Sequence, residues 1–196
     1  MRAAKVERKT GETEISISLK LDGRGAASIT TGINFFDHML TQISVHGLFD
    51  LDIQAKGDLE IDAHHTVEDC GIALGTAFNE ALGTKKGIVR MGSAIVPLDE
   101  ALSRVVIDFS GRPFCVFEEN WSSSNVAGMP VSLIEHFFHS FSVAAGATLH
   151  IALLYGRDNH HMAESIFKAF ARATRDAVKI DPRRGGDVPS SKGILA

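Results

Sequence analysis

The sequence predicts an α+β protein built of two like halves, each a sheet with helices on one face, the helices packed together between the sheets. Three observations carry this prediction. Two segments are near-copies, Asp62-Ala-His64-His65-Thr-Val-Glu68-Asp69 and Asp158-Asn-His160-His161-Met-Ala-Glu164-Ser165. A helix-like stretch opening on an acid and a histidine precedes each copy, at Asp37-His38 and Glu135-His136. A strand pattern that runs into a Gly-Arg turn precedes each of those, at Gly23-Arg24-Gly25 and Gly111-Arg112-Pro113.

Residues 13–22 alternate apolar and polar side chains, as a half-buried strand does. The apolar run from Asn34 through Leu40 opens a helix, and 49–54 reads as the next strand. Over 66–82, Ala, Ile, Leu and Phe recur at helical intervals, with Gly83 as the stop. The second half repeats the series: a strand at 102–109, a helix opening at Leu133, a strand at 148–155 and a helix over 161–178. The expected division is 1–90 for the first half and 91–180 for the second. Residues 181–196, rich in Gly, Pro, Ser and basic side chains, are coil whose groups suit an anion.

With 196 residues and 44% hydrophobic content the chain can bury a sufficient core without staples. Cys70 and Cys115 form no Cys-x-x-Cys pair and no disulfide framework, so a reducing cytosol is expected. The N-terminus lacks an apolar signal core, and no run approaches the roughly 18 to 20 apolar residues of a membrane span. A soluble, cytoplasmic protein follows. A net charge of −4 argues against non-specific nucleic-acid binding.

The twin motifs are metal-site signatures. On a helix, His64 and Glu68 share a face one turn apart, as do His160 and Glu164, so each pair can close on one divalent ion. The adjacent imidazoles of His65 and His161 diverge by about 100° and must serve a different ion. His38 and His136 sit at matching points of the two halves, each behind an acid that could orient the ring. His46, His139 and His150 lack such counterparts and read as ordinary polar side chains. The six paired histidines and two glutamates divide into two sites of three imidazoles and one carboxylate. The grouping is His64, Glu68, His136 and His161 on one ion, and His38, His65, His160 and Glu164 on the other. Four ligands of this nitrogen-and-oxygen type, on an ion that prefers six, suit Mn²⁺, with Fe²⁺, Co²⁺ or Zn²⁺ as competitors. Arg90, Arg112, Lys168 and the Ser190-Ser191-Lys192 tail fit a small phosphorylated substrate.

These residues bring a family into view. Phe36-Asp37-His38-Met39-Leu40, Gly57-Asp58, the two His-His-x-x-Glu segments, Arg90-Met-Gly92, Pro97-Leu-Asp99-Glu100-Ala101-Leu102, Asp108-Phe-Ser-Gly111-Arg112-Pro113, Phe167-Lys168 and Pro189-Ser-Ser-Lys192-Gly193 stand in order along nearly the whole chain. In this the chain resembles the imidazoleglycerol-phosphate dehydratases of histidine biosynthesis, with one departure, Ala63, where many members carry a polar residue. The resemblance implies halves like the second domain of ribosomal protein S5. It also implies a large homo-oligomer of trimers, in the family a 24-mer, with two manganese ions per active site and ligands from more than one subunit. The expected form is the stand-alone dehydratase, without the phosphatase domain that some bacteria fuse to it.

The implied reaction removes water from the glycerol side chain of imidazoleglycerol phosphate to give imidazole-acetol phosphate. No carbonyl adjoins the hydrogen to be lost, so the substrate's imidazole must be the electron sink, through an imidazolate and a diazafulvene-like state. By resemblance Glu12 is the proton carrier, and Arg90, Arg112, Lys168, Ser191 and Lys192 hold the phosphate. Two rival classes remain at this stage, a dinuclear phosphate-ester hydrolase and a metal-storage assembly. The first usually needs a bridging carboxylate; the second needs neither Glu12 nor a phosphate set.

Overall fold

The computed structural model describes residues 2–195. Its first sheet contains β1 (Ala3–Lys9), β2 (Thr13–Lys20), β3 (Ala27–Thr30) and β4 (Asp50–Gly57), in the order β1-β2-β4-β3. The second contains β5 (Met91–Leu98), β6 (Ala101–Asp108), β7 (Phe114–Glu118) and β10 (Thr148–Tyr155), in the corresponding order β5-β6-β10-β7. Helix α1 (Asn34–Gly47) joins β3 to the parallel strand β4, and α3 (Ser132–Ala145) lies on the path from β7 to the parallel strand β10. These are the crossovers that parallel neighbours require. Helices α2 (His64–Leu82) and α4 (Asn159–Val178) follow β4 and β10. A short hairpin, β8 (Asn125–Val126) and β9 (Met129–Pro130), occurs in the second half alone.

The alternation in sequence sets the inward faces. Ile15, Ile17 and Leu19 of β2 and Val105 and Ile107 of β6 are fully or almost fully buried, while their neighbours Glu14 and Arg104 face out. Helix α2 lies on β1 and β2, and α4 on β5 and β6, but the helices pair across the halves, α2 with α3 and α1 with α4. The four helices therefore share one core between two sheets. Phenylalanines knit it: Phe36 meets Phe137 at 5.3 Å, Phe138 meets Phe170 at 5.1 Å, and Phe78 meets Phe141 at 5.5 Å between ring centres. Edge-to-face pairs of this kind add to plain area burial.

The α+β class and the helices between the sheets agree with the sequence, while several elements differ. Each sheet has four strands where the sequence pattern gives two. β1 is half-exposed along its length and carries Lys5, Glu7, Arg8 and Lys9, so no apolar alternation marks it. β5 contains Gly92 and Pro97, which weaken a strand reading. Helices α2 and α4 also begin two residues earlier than expected. Asp62 and Asp158 explain this: each accepts a hydrogen bond from the backbone N–H two residues on, that of His64 or His160, at 2.7 Å. Asp158 is the N-cap of α4 and Asp62 stands one residue before that of α2, and these bonds start the helices early enough to hold both histidines of each motif in the first turn. In the tail, 182–184 form a 3-10 turn, and the rest of the described segment is coil.

Candidate metal centre

Because the helices pair across the halves, each histidine-glutamate motif meets a histidine from the other half. His160 and Glu164 on α4 meet His38 on α1; His64 and Glu68 on α2 meet His136 on α3. In both sets one ligand atom from each residue lies within 4.8 Å of the others, the spacing a single ion can span. His38, His64 and His160 line one cavity of about 1000 Å³, bordered also by Asp62, Ala63 and the β8–β9 hairpin.

In the His38 set, Nε2 of His38 and Nε2 of His160 lie 3.0 and 3.1 Å from the same Glu164 Oε2. Lys168 Nζ stands 2.7 Å from the other oxygen, Oε1. Burial alone would raise the Glu164 pKa, but hydrogen bonds from Lys168 and His38 outweigh it and hold the carboxyl down at about 2. The His64 set is looser. His64 Nε2 is 4.0 Å from Glu68 Oε2, and His136 Nε2 is 3.4 Å from Oε1. That last nitrogen is buried and makes no hydrogen bond: the approach to Glu68 is close enough for charge attraction but not aligned for bonding. A buried nitrogen without a partner, facing a carboxylate and a second imidazole, is what a bound cation would satisfy. The donor set of both triads thus fits a divalent metal.

His65 and His161 stand outside both triads. His65 Nδ1 is 3.0 Å from Asp58 Oδ2, with Glu12 Oε1 at 3.7 Å from Nε2. His161 Nδ1 is 2.7 Å from Glu100 Oε2, with Asp99 Oδ2 at 3.9 Å from Nε2. The hydrogen bond with Asp58 raises the His65 pKa above its ordinary value, and that with Glu100 does the same for His161. Glu100 itself is held down at about 2, first by the backbone N–H of Asp158 and then by His161.

The acids beside the helix histidines do not orient those rings, against the sequence reading. Asp37 accepts from the backbone N–H and the hydroxyl of Thr31, at 2.8 and 2.5 Å, which fastens the start of α1 instead. His38 Nδ1 has Gln42 Nε2 at 3.4 Å. Glu135 is exposed and makes no hydrogen bond among the described residues. The reason is geometric: successive helical side chains diverge too far for one to grip the next. Glu12 lies in a turn fixed by Thr10, whose hydroxyl accepts from the N–H groups of Glu12 and Thr13 at 3.1 and 3.0 Å. Asp69 fastens that turn to α2 through Arg8, at 2.7 Å, and Thr13.

Arg90, Arg112, Ser191 and Lys192 line a second cavity, of about 410 Å³. The Arg90 guanidinium pairs with both oxygens of Asp108, at 2.6 and 2.8 Å, and donates to Pro189 O at 2.8 Å, so it holds the tail in place. The side chains of Arg112 and Lys192 are exposed. Lys168 is not among this group within one chain; it belongs to the Glu164 cluster. His46, read as an ordinary polar residue, is pushed down in pKa by burial and by the nearby cations Lys168 and Arg172. The counterpart of Ala63 in the second half, Asn159, is buried and binds the insertion found there, accepting from Ser122 N at 3.0 Å and donating to Ser123 O at 2.9 Å. The first half has no such loop to hold.

The family model for imidazoleglycerol-phosphate dehydratase matches residues 31–174. A protein of that name from Nitrosomonas eutropha is 56% identical, over 100% of both chains. Another from Gluconacetobacter diazotrophicus is 55% identical, over 99% of this chain and 98% of its own. Among solved structures, imidazoleglycerol-phosphate dehydratase from Staphylococcus aureus subsp. aureus N315 superposes with a TM-score of 0.83 at 37% identity, covering 91% of this chain and 99% of its own. The Pyrococcus furiosus structure, in complex with (S)-C348, gives 0.84 at 35%, covering 97% of this chain and 100% of its own. The chain therefore belongs to the imidazoleglycerol-phosphate dehydratase family, which are hydro-lyases.

Proposed function

We propose that this chain dehydrates D-erythro-imidazoleglycerol phosphate to imidazole-acetol phosphate in L-histidine biosynthesis, at a site holding two Mn²⁺ ions. The observation that carries the reading is the pair of triads, one with a buried imidazole nitrogen lacking a hydrogen-bond partner. His64, Glu68 and His136 would hold one ion and His38, His160 and Glu164 the other. The fourth ligands are His161 for the first and His65 for the second. Since both stand outside their own chain's triads, they are supplied by neighbouring subunits. Self-association into trimers, and these into a 24-mer, provides those neighbours. The outer face of the second sheet supports it, with Met91, Ile95, Val106 and Phe114 exposed where the first sheet, in the matching register, has Ala3, Glu7, Ser18 and Ala26.

Bound there, two such ions would supply positive charge that favours the ionised form of the substrate ring, and so would allow the ring's electrons to expel the neighbouring hydroxyl. Glu12, beside His65 Nε2, gives its carboxyl proton to the leaving oxygen and so releases water. The Glu12 carboxylate so formed takes the proton from the neighbouring carbon, and the resulting enol tautomerises to the ketone. Arg112, Ser191 and Lys192 bind the phosphate, Arg90 holds the tail that carries two of them, and Lys168 reaches it from another subunit's Glu164 cluster. The two halves, 1–90 and 91–180, act as one duplicated unit, with 181–196 as the phosphate-binding tail. No helix among the described residues is long and apolar enough to cross a membrane. With the −4 charge, this supports a cytoplasmic enzyme without nucleic-acid partners.

Consumption of imidazoleglycerol phosphate by chelator-treated protein, with and without added Mn²⁺, tests the reading. Treated protein should be inactive and Mn²⁺ should restore it, while Glu12→Gln should lower kcat by about 10² to 10⁴. Full turnover in excess chelator, or metal uptake without turnover, would overturn it.

A further inference from the structure

The twin motifs each contain a histidine that is not part of its own chain's triad, and both of these rings are held from behind by an acid. His65 Nδ1 lies 3.2 and 3.0 Å from the two oxygens of Asp58, which belongs to the loop between β4 and α2. His161 Nδ1 lies 2.7 Å from Glu100 Oε2, in the turn between β5 and β6. A carboxylate can only accept, so in the neutral form of each ring Nδ1 carries the hydrogen and Nε2 keeps a free lone pair. The two acids come from different places in the duplicated fold yet reach the same ring atom. Neither pairs with a lysine or arginine among the described residues, so the charge of each is directed at the imidazole. Glu100 also holds the backbone: its other oxygen accepts from the N–H groups of Asp158 and Arg157, at 2.8 and 3.2 Å. It therefore fixes the ring to the entry of α4. His64 and His160, which face Glu68 and Glu164, have no acid at Nδ1 among the described residues.

We propose that Asp58 and Glu100 are positioning residues, which fix the tautomer and direction of His65 and His161 so that each presents Nε2 to a metal ion held by another subunit's triad. The inference rests on the two-ion reading above and assigns these acids a role that the acid-histidine pairs Asp37-His38 and Glu135-His136 do not fulfil. An acid behind a ligating imidazole raises its basicity and removes the freedom to rotate or to place the hydrogen on the wrong nitrogen.

The test is Mn²⁺ titration of the assembled, chelator-treated protein, with metal content per chain and the separate changes in kcat and KM as readouts. Glu100→Ala should weaken one of two binding steps by about 10 to 100-fold and leave the other unchanged, and Asp58→Ala should do the reverse. Glu100→Gln and Asp58→Asn keep an accepting oxygen without the charge and should fall between wild type and Ala. Their thermal midpoints in the metal-free state should match wild type, which separates positioning from folding. If an Ala variant fails to assemble, its amide counterpart decides the question. Wild-type affinity at both steps in the variants, while His65→Ala and His161→Ala each lose one ion, would overturn the positioning role and leave the metal reading standing. Retention of both ions by those two histidine variants would overturn the metal reading itself, and the positioning role with it.

Discussion

The two triads use the same three residue types on the same kinds of helix, yet they differ in what closes them. Glu164 is 13% exposed, bonded to both histidines of its triad through one oxygen and to Lys168 through the other. Glu68 is 37% exposed and bonds neither histidine; Ile72 stands at the place Lys168 takes on α4. One triad is a satisfied polar cluster without metal, whereas the other leaves His136 Nε2 buried and unpaired. An unmet buried group of this kind costs about 1 to 3 kcal/mol, which a bound cation would return. The duplication thus repeats the histidine-glutamate set but not its energetics: an ion at Glu164 Oε2 would sit beside the ammonium of Lys168, which stands on Oε1, while no lysine or arginine pairs with Glu68 among the described residues.

The largest expected effect follows from this. His136→Ala and His38→Ala should each remove one ion and lower activity by more than about 100-fold, since loss of a ligand should exceed loss of a supporting group. They should not be equivalent in titration. His136→Ala should leave the weaker Mn²⁺ step and His38→Ala the tighter one. Equal residual affinities would break the comparison.

The helix crossings differ in the same way. Helix α2 carries Gly71 and Gly75 against α3, where a Cβ would meet Phe137 O at 2.7 Å and Phe141 O at 2.6 Å. At the matching places α4 has Phe167 and Ala171, side chains where α2 has none. The close approach of α2 to α3 is what brings His136 to His64, with ring centres 4.5 Å apart, against 5.5 Å for His38 and His160. Gly75→Ala should therefore push α3 outward, cost about 1 to 3 kcal/mol in a thermal melt, and weaken metal at the His64 triad first. Loss of both ions together would show that the triads are not independent.

Much of this was legible in the sequence for physical reasons. β2, β4 and β6 have one buried face and so alternate clearly, and the i, i+4 spacing of His64 with Glu68 and of His160 with Glu164 already places each pair on one side of a helix. The edge strands β1 and β7 and the short β3 bury too little to leave a pattern. Asp37 and Glu135 misled because adjacency in sequence is not adjacency on a helix. Glu100 stands in one of the segments that carry the family resemblance, but no spacing ties it to His161: it lies in a hairpin turn far along the chain, and only the docking of β5 and β6 on α4 brings them together.

The smallest effect concerns Lys168 and acid. In metal-free protein Glu164 is held at about 2, below its ordinary 4.5, so its contribution to stability is complete above that ordinary value. The contribution is lost as pH falls from there toward 2, because the unfolded chain takes up the proton first. The stability gap between wild type and Glu164→Gln, read as a urea midpoint in chelator, should be on the order of 1 to 2 kcal/mol at pH 6 and shrink toward pH 2. Lys168→Met should remove most of the gap, since Lys168 is the first of the groups that hold the carboxyl down against burial. The same variant should tighten Mn²⁺ at the His38 triad, by removing a positive charge from the ion's neighbourhood. If Lys168→Met leaves both the acid profile and the metal titration unchanged, the ion pair is not what distinguishes the two triads, and the difference must be traced to the burial of Glu164 alone.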